Sequence, residues 1–552
     1  MAHSRVVITD WKYEYNNHRR HGPGLPDPVP LRRELLPSMK AAVDVVADVH
    51  RRRPRRPHLG LSNRQQHHAN GSTSNARRAG SAASILLVAA VPQREEAQMP
   101  DPTSPNVVFF HVDNLGFGEL GCYGGGILRG AHTKRIDAFA AQGFQLLNYA
   151  PESQCTPTRS ALLTGRHAIR SGNHTASGHG MPFGLVSWER TLGDIFSEAG
   201  YATSCLGKWH VGDEEGRWPT DHGFDAWYGP PHSYDEALWE TDPWYDPTRD
   251  PVSFLLESTK GHSPTECEQL TFEVKRNVDV EYLRRAFDFI DDSVENDTPF
   301  FLYYNPTLMH LPCVPRDEYR GTSGNGDWAD CLLQLDGDFG ALLDKLDELG
   351  LTDNTIVVFA GDNGNEEMLL HRGTAGFFEG SYFTGMEGSL RTPCITRWPG
   401  HVAEGVVSNE IMHVSDWFTT LLAMTGLDAP GDRIIDGKNQ SGFLSGQDEV
   451  SNRDGFIYWN GEHIYGIKWQ NFKFVMVEQR YMTDPALPLG FPHIVNLMTD
   501  PKEREPYNPV YLHSWTLAHF GRLLADFKHS VAQEPLIPAG APLDFVPQQP
   551  SA

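Results

Sequence analysis

Residues 106–114 read Asn106-Val107-Val108-Phe109-Phe110-His111-Val112-Asp113-Asn114. The first seven residues are almost continuously apolar, which is typical of a strand buried on both faces of a parallel sheet. Asp113 and Asn114 then fall at the carboxyl end of that strand, the edge at which open α/β sheets bind ligands.

The chain downstream of this run alternates strands with helices. Residues 299–304 and 355–360 repeat the buried-strand pattern, while helices are predicted over 133–143 and 335–349. In the second helix, leucine or phenylalanine recurs at i, i+4, i+7, i+11 and i+14 from Leu335, and Gly350 ends it. This order predicts an α/β fold with a large, mostly parallel sheet flanked by helices, spanning residues 99–430.

The pattern changes after residue 430. Short aromatic and β-branched runs at 455–459, 463–469 and 472–477 are separated by Asn and Gly turns. Such runs predict antiparallel strands. Residues 431–552 are therefore expected to form a smaller C-terminal antiparallel-sheet subdomain and a tail.

The first 98 residues differ in composition from the rest. They carry sixteen Lys or Arg against eight Asp or Glu, a net charge of +8, which leaves −32 for the remainder of a chain whose total is −24. They also lack a sustained apolar period, so we expect a disordered basic leader, with Met99 as the alternative start of the protein.

The overall composition excludes several classes of protein. A strongly acidic main body argues against a nucleic-acid-binding surface, and the apolar run at 82–91 is too short to span a bilayer. The expectation is a cytoplasmic protein, with export as the alternative; the sequence does not indicate an oligomeric state. The seven cysteines have no clustered spacing, so neither a disulfide framework nor a zinc ribbon is predicted.

An Asp-Asn pair directly follows two of the predicted strands. Asp113-Asn114 follows the first strand and Asp362-Asn363 follows the strand at 355–360. Carboxylate and amide oxygens are ligands that hard divalent cations take, calcium accepting six to eight. Asp-Asn-Gly is also an ordinary turn sequence, so either pair alone would leave a turn as the alternative.

A third stretch is far more specific. It is Cys155-Thr156-Pro157-Thr158-Arg159-Ser160-Ala161-Leu162-Leu163-Thr164-Gly165-Arg166. This stretch resembles the signature of the type I, arylsulfatase-like sulfatases of the alkaline phosphatase superfamily, in which Cys-x-Pro-x-Arg directs conversion of the cysteine to formylglycine. Further motifs similar to this family lie at 106–124, 206–212, 222–225, 300–310, 387–400 and 497–503, so the resemblance covers nearly all of residues 105–505.

The resemblance implies a sulfuric ester hydrolase with one divalent cation, calcium expected and magnesium the alternative. The ligands would be Asp113, Asn114, Asp362, Asn363 and the modified Cys155. A hydroxyl of the hydrated aldehyde would attack sulfur, and loss of the proton from the second hydroxyl would expel sulfate. Four further residues would be catalytic: Arg159 would stabilise the hydrated aldehyde, Lys208 would bind sulfate, His210 would act as base and His310 would lie near the leaving oxygen.

Two positions depart from the family pattern. Asn114 stands where a second aspartate is usual, which removes one carboxylate from the cation site. Tyr382 stands where a lysine usually contacts sulfate, with Arg372 as a candidate replacement for its charge. The aromatic residues at 230–275 could either wall a substrate pocket or pack on the core.

The predicted function is hydrolysis of a small-molecule sulfate monoester, with an aryl alcohol as the expected leaving group. A formylglycine-generating enzyme would be a transient partner. One alternative, favoured by Asn114 and Tyr382, is a phosphodiesterase or phosphonate monoester hydrolase on the same fold. A second alternative is a catalytically silent protein that binds sulfate esters.

Overall fold

The structure is a computed structural model that describes residues 104–181, 183–368, 370–505 and 509–548. The leader at 1–98 and the alternative start at Met99 lie outside these residues. The strands are β1 Asn106–Val112, β2 Phe144–Leu146, β3 Tyr149–Ala150, β4 Ala202–Gly207, β5 Ala226–Gly229, β6 Phe254–Thr259, β7 Thr265–Gln269, β8 Phe300–Asn305, β9 Thr355–Gly361, β10 Cys394–Arg397, β11 Val406–Ser408, β12 Met412–His413, β13 Gly455–Asn460, β14 His463–Trp469, β15 Phe472–Glu478 and β16 Leu487–Asn496.

The α-helices lie between and around these strands. They are α1 Lys134–Ala141, α2 Cys155–Thr164, α3 Ala168–Ser171, α4 Leu192–Glu198, α5 Phe272–Glu295, α6 Asp327–Glu348, α7 Glu387–Leu390, α8 Asp416–Met424, α9 Ser441–Leu444, α10 Pro509–Leu512 and α11 Leu517–Gln533. Short 3-10 helices lie at Gly121–Tyr123, Gly126–Arg129, Pro219–Asp221, Tyr234–Thr241, Thr352–Asn354 and Ser514–Thr516.

The main sheet has ten strands in the order β11-β2-β10-β9-β1-β8-β4-β5-β6-β7. Its centre, β9-β1-β8-β4-β5, is parallel, and antiparallel pairs occur on either side of that centre. The predicted α/β fold is thereby confirmed as a mixed sheet with a parallel core. Because the central strands are parallel, their carboxyl ends meet at one edge.

The positions of the β1 side chains explain why apolar and polar residues do not alternate along this strand. Val108 and Phe110 belong to the hydrophobic cluster on one face of the sheet, together with α5 and α6 residues. Val107 and Phe109 belong to the cluster on the other face, together with α2 and α8 residues. Both faces are covered, so both sets of alternate side chains must be apolar.

A second sheet contains β13, β14, β15 and β16, all antiparallel, with α11 packed against it. This agrees with the predicted C-terminal antiparallel sheet, although the boundary at residue 430 stays a prediction. A buried charge network joins this sheet to the α/β part of the chain: Lys468 Nζ lies 2.7 Å from Glu387 Oε2, and Lys473 Nζ lies 3.6 Å from Glu387 Oε1. The network matters for stability because every one of these charges is buried.

All seven cysteines lie in the described part of the chain, and none forms a disulfide. Among the described residues, no helix has the length and apolar character needed to cross a bilayer.

Candidate active site

The two Asp-Asn pairs lie side by side at the carboxyl edge of the sheet. β1 and β9 pair in parallel with Val112 opposite Gly361, so the residues after each strand are neighbours. Asn363 Nδ2 donates to Asn114 Oδ1 at 2.6 Å, and the Asn114 backbone N–H donates to Asp362 Oδ1 at 3.3 Å. All four side chains are buried.

Two oxygens in this cluster have no hydrogen-bond donor. Asp113 Oδ1 and Asn363 Oδ1 are fully buried and unpartnered. A buried acceptor without a donor is costly, and a hard cation that takes carboxylate and amide oxygens would satisfy both atoms. The residues present therefore fit a calcium or magnesium ion, with Asp113, Asn114, Asp362 and Asn363 as protein ligands.

The two carboxylates of the cluster differ in electrostatic environment. Burial favours protonation of Asp113, but the Lys208 ammonium, His310 and the Arg159 guanidinium outweigh it and hold the pKa of Asp113 well below its usual range. Burial and the nearby Asp113 charge raise the pKa of Asp362 to about 7. Two acids this close resist both being charged, and a bound cation would relieve the repulsion.

Cys155 begins the helix α2, whose ten residues are all buried. Pro157 is tolerated in the first turn because that turn has no intrahelical acceptor for its missing N–H. Thr158 Oγ1 accepts from the Glu152 backbone N–H at 3.0 Å and fixes the approach to the helix. Burial raises the pKa of the Cys155 thiol to about 12.

Arg159 lies one helical turn after Cys155 and is fully buried. Its NH2 group donates to Asp362 Oδ2 at 2.9 Å and to Asp113 Oδ2 at 3.3 Å. Its NH1 group donates to Asn305 Oδ1 at 2.6 Å and to the Lys208 carbonyl at 3.0 Å. The guanidinium thus links α2 to the ends of four central strands.

Lys208 and His210 follow the end of β4. Lys208 Nζ donates to Asp113 Oδ2 at 2.7 Å and to Ser233 Oγ at 3.1 Å. His210 has a left-handed backbone, with φ of 61°, and its Nε2 lies 2.7 Å from the Ser177 carbonyl oxygen. A carbonyl can only accept, so Nε2 carries the proton and Nδ1, which is buried and unpartnered, holds the free lone pair of the neutral ring.

His310 follows β8 on the same edge of the sheet. Its Nδ1 donates to the Leu311 carbonyl at 2.8 Å, and its Nε2 lies 3.0 Å from Ser233 Oγ. Ser233 therefore contacts both His310 and Lys208. The structure thus brings every predicted site residue to one edge of the sheet; their catalytic roles stay predictions.

Sequence reasoning missed Ser233 and Glu366. Ser233 is an isolated serine in a long loop, and no local pattern marks it. Glu366 follows Asp362-Asn363 by a few residues, and only this proximity could have drawn attention to it. Glu366 is fully buried, and its Oε2 accepts from Asn114 Nδ2 at 2.9 Å.

Neither candidate replacement for the missing lysine contacts the cluster directly. Tyr382 donates its hydroxyl to Glu366 Oε1 at 3.1 Å. Arg372 has a side chain that is 52% exposed and lies 3.5 Å from Glu367, so it is a surface residue. The suggestion that Arg372 supplies the missing charge is not supported by this position.

The aromatic residues at 230–275, which are expected either to wall a substrate pocket or to pack on the core, differ in burial. Tyr234 is buried and its hydroxyl donates to the Asn305 carbonyl at 3.2 Å, so this residue belongs to the core. A row of neighbouring rings leads outward from the buried His210 and His232, with centroid separations of 5.6 to 6.4 Å: His210, His232, His179, Trp239 and Tyr245. That this row walls a substrate pocket stays a prediction.

A second group of potential metal ligands lies apart from the strand-end cluster. Glu152, His167 and His413 are buried, and their ligand atoms all lie within 4.8 Å of one another. Glu152 Oε1 lies 3.6 Å from His167 Nδ1 and 3.9 Å from His413 Nε2. These contacts tie the loops on either side of α2 to β12.

Comparison with known proteins agrees with the fold and with the family resemblance of the sequence. Residues 105–427 match the sulfatase family, and residues 373–508 match the C-terminal region of N-sulphoglucosamine sulphohydrolase. The chain is 34% identical to rat N-acetylgalactosamine-6-sulfatase over 61% of this chain and 65% of that protein. It is 33% identical to human arylsulfatase A over 64% of this chain and 70% of that protein.

Among solved structures, the chain is similar to the PsFucS1 sulfatase from Pseudoalteromonas sp. The TM-score is 0.73 and the identity 28%, covering 79% of this chain and 92% of the other. The sheet and the cluster at its carboxyl edge define an alkaline-phosphatase-like fold. Within that class, the chain belongs to the sulfatase family. It spans 65% of the length of the rat relative.

Proposed function

We propose that this chain hydrolyses sulfate monoesters by breaking the S–O bond, with a formylglycine made from Cys155 and one divalent cation. The observation that carries the proposal is the position of the Cys155-x-Pro157-x-Arg159 element at the start of α2. There, Arg159 contacts both strand-end carboxylates, Asp113 and Asp362.

The unmodified thiol is a poor candidate for the nucleophile. Burial raises the pKa of Cys155 to about 12, so almost no thiolate exists at neutral pH, and the thiolate is the reactive form. An aldehyde at this position, once hydrated, supplies one hydroxyl to attack sulfur and a second whose deprotonation releases sulfate. A cation on the strand-end oxygens, with calcium expected and magnesium the alternative, would supply positive charge at the attacking oxygen and the sulfate.

The surrounding residues have complementary roles in the proposal. Lys208 contributes a fixed positive charge for a sulfate oxygen, held in place by Asp113. His210 is the base, acting through Nδ1 because Nε2 is occupied by the Ser177 carbonyl. Burial, and secondarily the Lys208 charge, lowers the pKa of His210, which keeps this ring neutral and able to accept a proton.

His310 is placed in the proposal at the leaving oxygen. Its Nδ1–H donates to the Leu311 carbonyl, so Nε2 is the nitrogen that faces the site, with Ser233 as its neighbour. A protonated Nε2 could give its proton to the departing alcohol, and Ser233 would orient the ring.

For the alcohol, we propose a sulfated sugar ahead of the aryl alcohol expected from the sequence. The outer rings of the aromatic row, His179 and Trp239, are accessible and could stack on a sugar. The half-exposed Asp235 carboxylate, 3.9 Å from His310 Nε2, could accept from sugar hydroxyls. The rat relative's name specifies an N-acetylgalactosamine 6-sulfate. A formylglycine-generating enzyme would act on Cys155, and a cytoplasmic location is retained as part of the proposal.

Two measurements test this function. Mass spectrometry of the tryptic peptide Ile136–Arg159 from a host able to make formylglycine should detect the aldehyde, and an entirely unconverted thiol would overturn the mechanism. Turnover of matched sulfate, phosphodiester and phosphonate esters, each as aryl and sugar forms, should favour a sulfate. A preference for the diester or phosphonate would support the alternative hydrolase, and tight binding of sulfate esters without turnover would support a silent binding protein.

A further inference from the structure

Glu366 connects the two unusual residues of the site. Its Oε2 accepts from Asn114 Nδ2 at 2.9 Å. Its Oε1 accepts from the Tyr382 hydroxyl at 3.1 Å and from the backbone N–H groups of Glu367 and Met368 at 2.8 and 3.0 Å. Every one of these four partners points a donor at the carboxylate.

This arrangement determines the orientation of the Asn114 amide. A carboxylate that collects four donors acts only as an acceptor, so the NH2 end of Asn114 must face Glu366. The carbonyl oxygen, Oδ1, then faces Asn363 and the strand-end cluster. Without Glu366, the amide could turn over and present a donor, which repels a cation, to the cluster.

The donors are divided unevenly between the two oxygens of Glu366. Oε1 accepts from Tyr382 and two backbone N–H groups, whereas Oε2 accepts from Asn114 Nδ2. Among the described residues, this bond to Asn114 is the hydrogen bond that joins the Glu366 side chain to the strand-end cluster, so Glu366 is suited to act through Asn114. Its charge is fully buried and lies one hydrogen bond from the neutral side chain at position 114.

We infer that Glu366 is the positioning residue of the cation site: it aims the Asn114 carbonyl oxygen at the ion and supplies, one bond further out, a negative charge that Asn114 lacks. Tyr382 in turn supports Glu366 and makes no contact with the substrate. This inference rests on the cation that is part of the proposed function. It joins Asn114 and Tyr382, which are distant in the sequence, into one unit around a shared carboxylate.

Calcium affinity of the full chain tests this assignment without any turnover. Ca²⁺ binding would be measured by calorimetry, with Tb³⁺ luminescence as a second signal, and the melting temperature in chelator would report on the fold. We expect Glu366→Gln to weaken Ca²⁺ binding by about 10- to 100-fold, the usual cost of removing a residue that orients a metal ligand. Glu367→Gln is the matched control and should bind like wild type, since the Glu367 side chain contacts Ser381, Arg372 and the Met482 backbone N–H but not the cluster.

The decisive variant moves the charge. Asn114→Asp alone places two carboxylates within hydrogen-bond distance and should lower the melting temperature in chelator. Asn114→Asp combined with Glu366→Gln restores a donor–acceptor pair with the charge at position 114, and should recover Ca²⁺ binding to within a few-fold of wild type. A merely structural role for Glu366 would give additive losses and no recovery.

The variant Tyr382→Phe tests whether Tyr382 supports Glu366 or contacts the substrate. Two backbone donors remain on Glu366 Oε1, so we expect a loss of Ca²⁺ affinity of only a few-fold and an unchanged KM. Wild-type affinity in Glu366→Gln, or additive losses in the double variant, would overturn the assignment, as would a wild-type chain that binds no Ca²⁺. A chain that binds Ca²⁺ as expected but prefers phosphodiesters would overturn the sulfatase proposal and leave this assignment standing.

Discussion

At the scale of single residues, Cys155 combines a buried position with a thiol pKa raised to about 12. We predict that Cys155→Ala abolishes turnover while leaving the melting temperature within a few degrees of wild type, since one sulfur atom is removed from the start of a well-packed helix. The measurement is turnover together with a thermal melt. Substantial remaining activity in a folded variant would exclude covalent catalysis at this position.

The lowered pKa of His210 predicts how kcat depends on pH. Because burial lowers its pKa below the ordinary 6.5, the ring stays neutral at pH 6.5 and is protonated only at lower pH. The kcat of the wild type should therefore hold as the pH falls to about 6.5 and decline only below it. Profiles of kcat against pH for wild type and His210→Ala would check this. The variant should lose about 10²-fold or more in kcat, and a wild-type decline beginning above pH 7 would contradict the assignment.

At the scale of elements, Gly165 caps the C-terminus of α2 with a left-handed φ of 69°. A Cβ there would lie 2.5 Å from Phe418 Cδ1. We predict that Gly165→Ala lowers the free energy of unfolding by about 2 kcal/mol or more, from backbone strain and overpacking together. Chemical denaturation would measure it.

Gly426 offers the matched control, since its φ of 75° is similar but no atom lies within 4 Å of the position a Cβ would take. Gly426→Ala should incur only the backbone cost, about 1 kcal/mol. Equal losses in the two variants would show that contact with Phe418 contributes nothing.

Two elements differ from the sequence-based expectation, each for its own physical reason. The helix predicted over 335–349 begins at Asp327 in the structure. Hydrophobic periodicity does not reveal its first turns, because they include Asp330, a buried acid. The Asp330 carboxylate accepts from the Gly321 and Ser323 backbone N–H groups. β16 contains Pro488 and Gly490, which argue against a strand, yet it pairs only with β15 at the edge of its sheet, where proline is tolerated.

The sequence predicts those parts of the site that a local sequence pattern marks. Asp113-Asn114 and Asp362-Asn363 directly follow strands, and adjacency of parallel strands brings them together. Ser233 and Glu366 enter through loops whose course depends on tertiary packing. Their contacts with Lys208, His310 and Asn114 leave no periodic trace in the sequence.

At the scale of the whole molecule, Glu387 of α7 joins the α/β part of the chain to the antiparallel sheet. This buried carboxylate is surrounded by Arg391, Lys468 and Lys473, which outweigh burial and lower its pKa. We predict that Glu387→Gln destabilises the protein by about 3 kcal/mol or more, since buried cations lose their counter-charge. Arg522→Gln, which removes a largely exposed ion pair with Asp454, should cost less than about 1 kcal/mol.

The Glu387 carboxylate also predicts how the stability of the protein changes at acid pH. Its pKa in the folded state lies below the unfolded value, so its contribution is fully present above pH 4.5 and is lost as the pH falls through the folded pKa. Stability measured between pH 7 and pH 3 should therefore fall less steeply for Glu387→Gln than for wild type. Parallel curves for the two proteins would contradict this role.

The burial of every residue of α2 has a consequence for the order of events during synthesis. In the folded chain Cys155 is 8% exposed and Arg159 is not exposed at all. The modifying enzyme of the proposed function, which must bind this segment, would therefore have to act before the sheet closes over it. β9, whose following residue Asp362 contacts Arg159, leaves the ribosome only after residues 165–354 have been made. At about 5–20 residues per second, that interval is roughly 10 to 40 seconds. The yield of active protein would then depend on how translation speed compares with the rate of modification, and slower translation should raise the converted fraction.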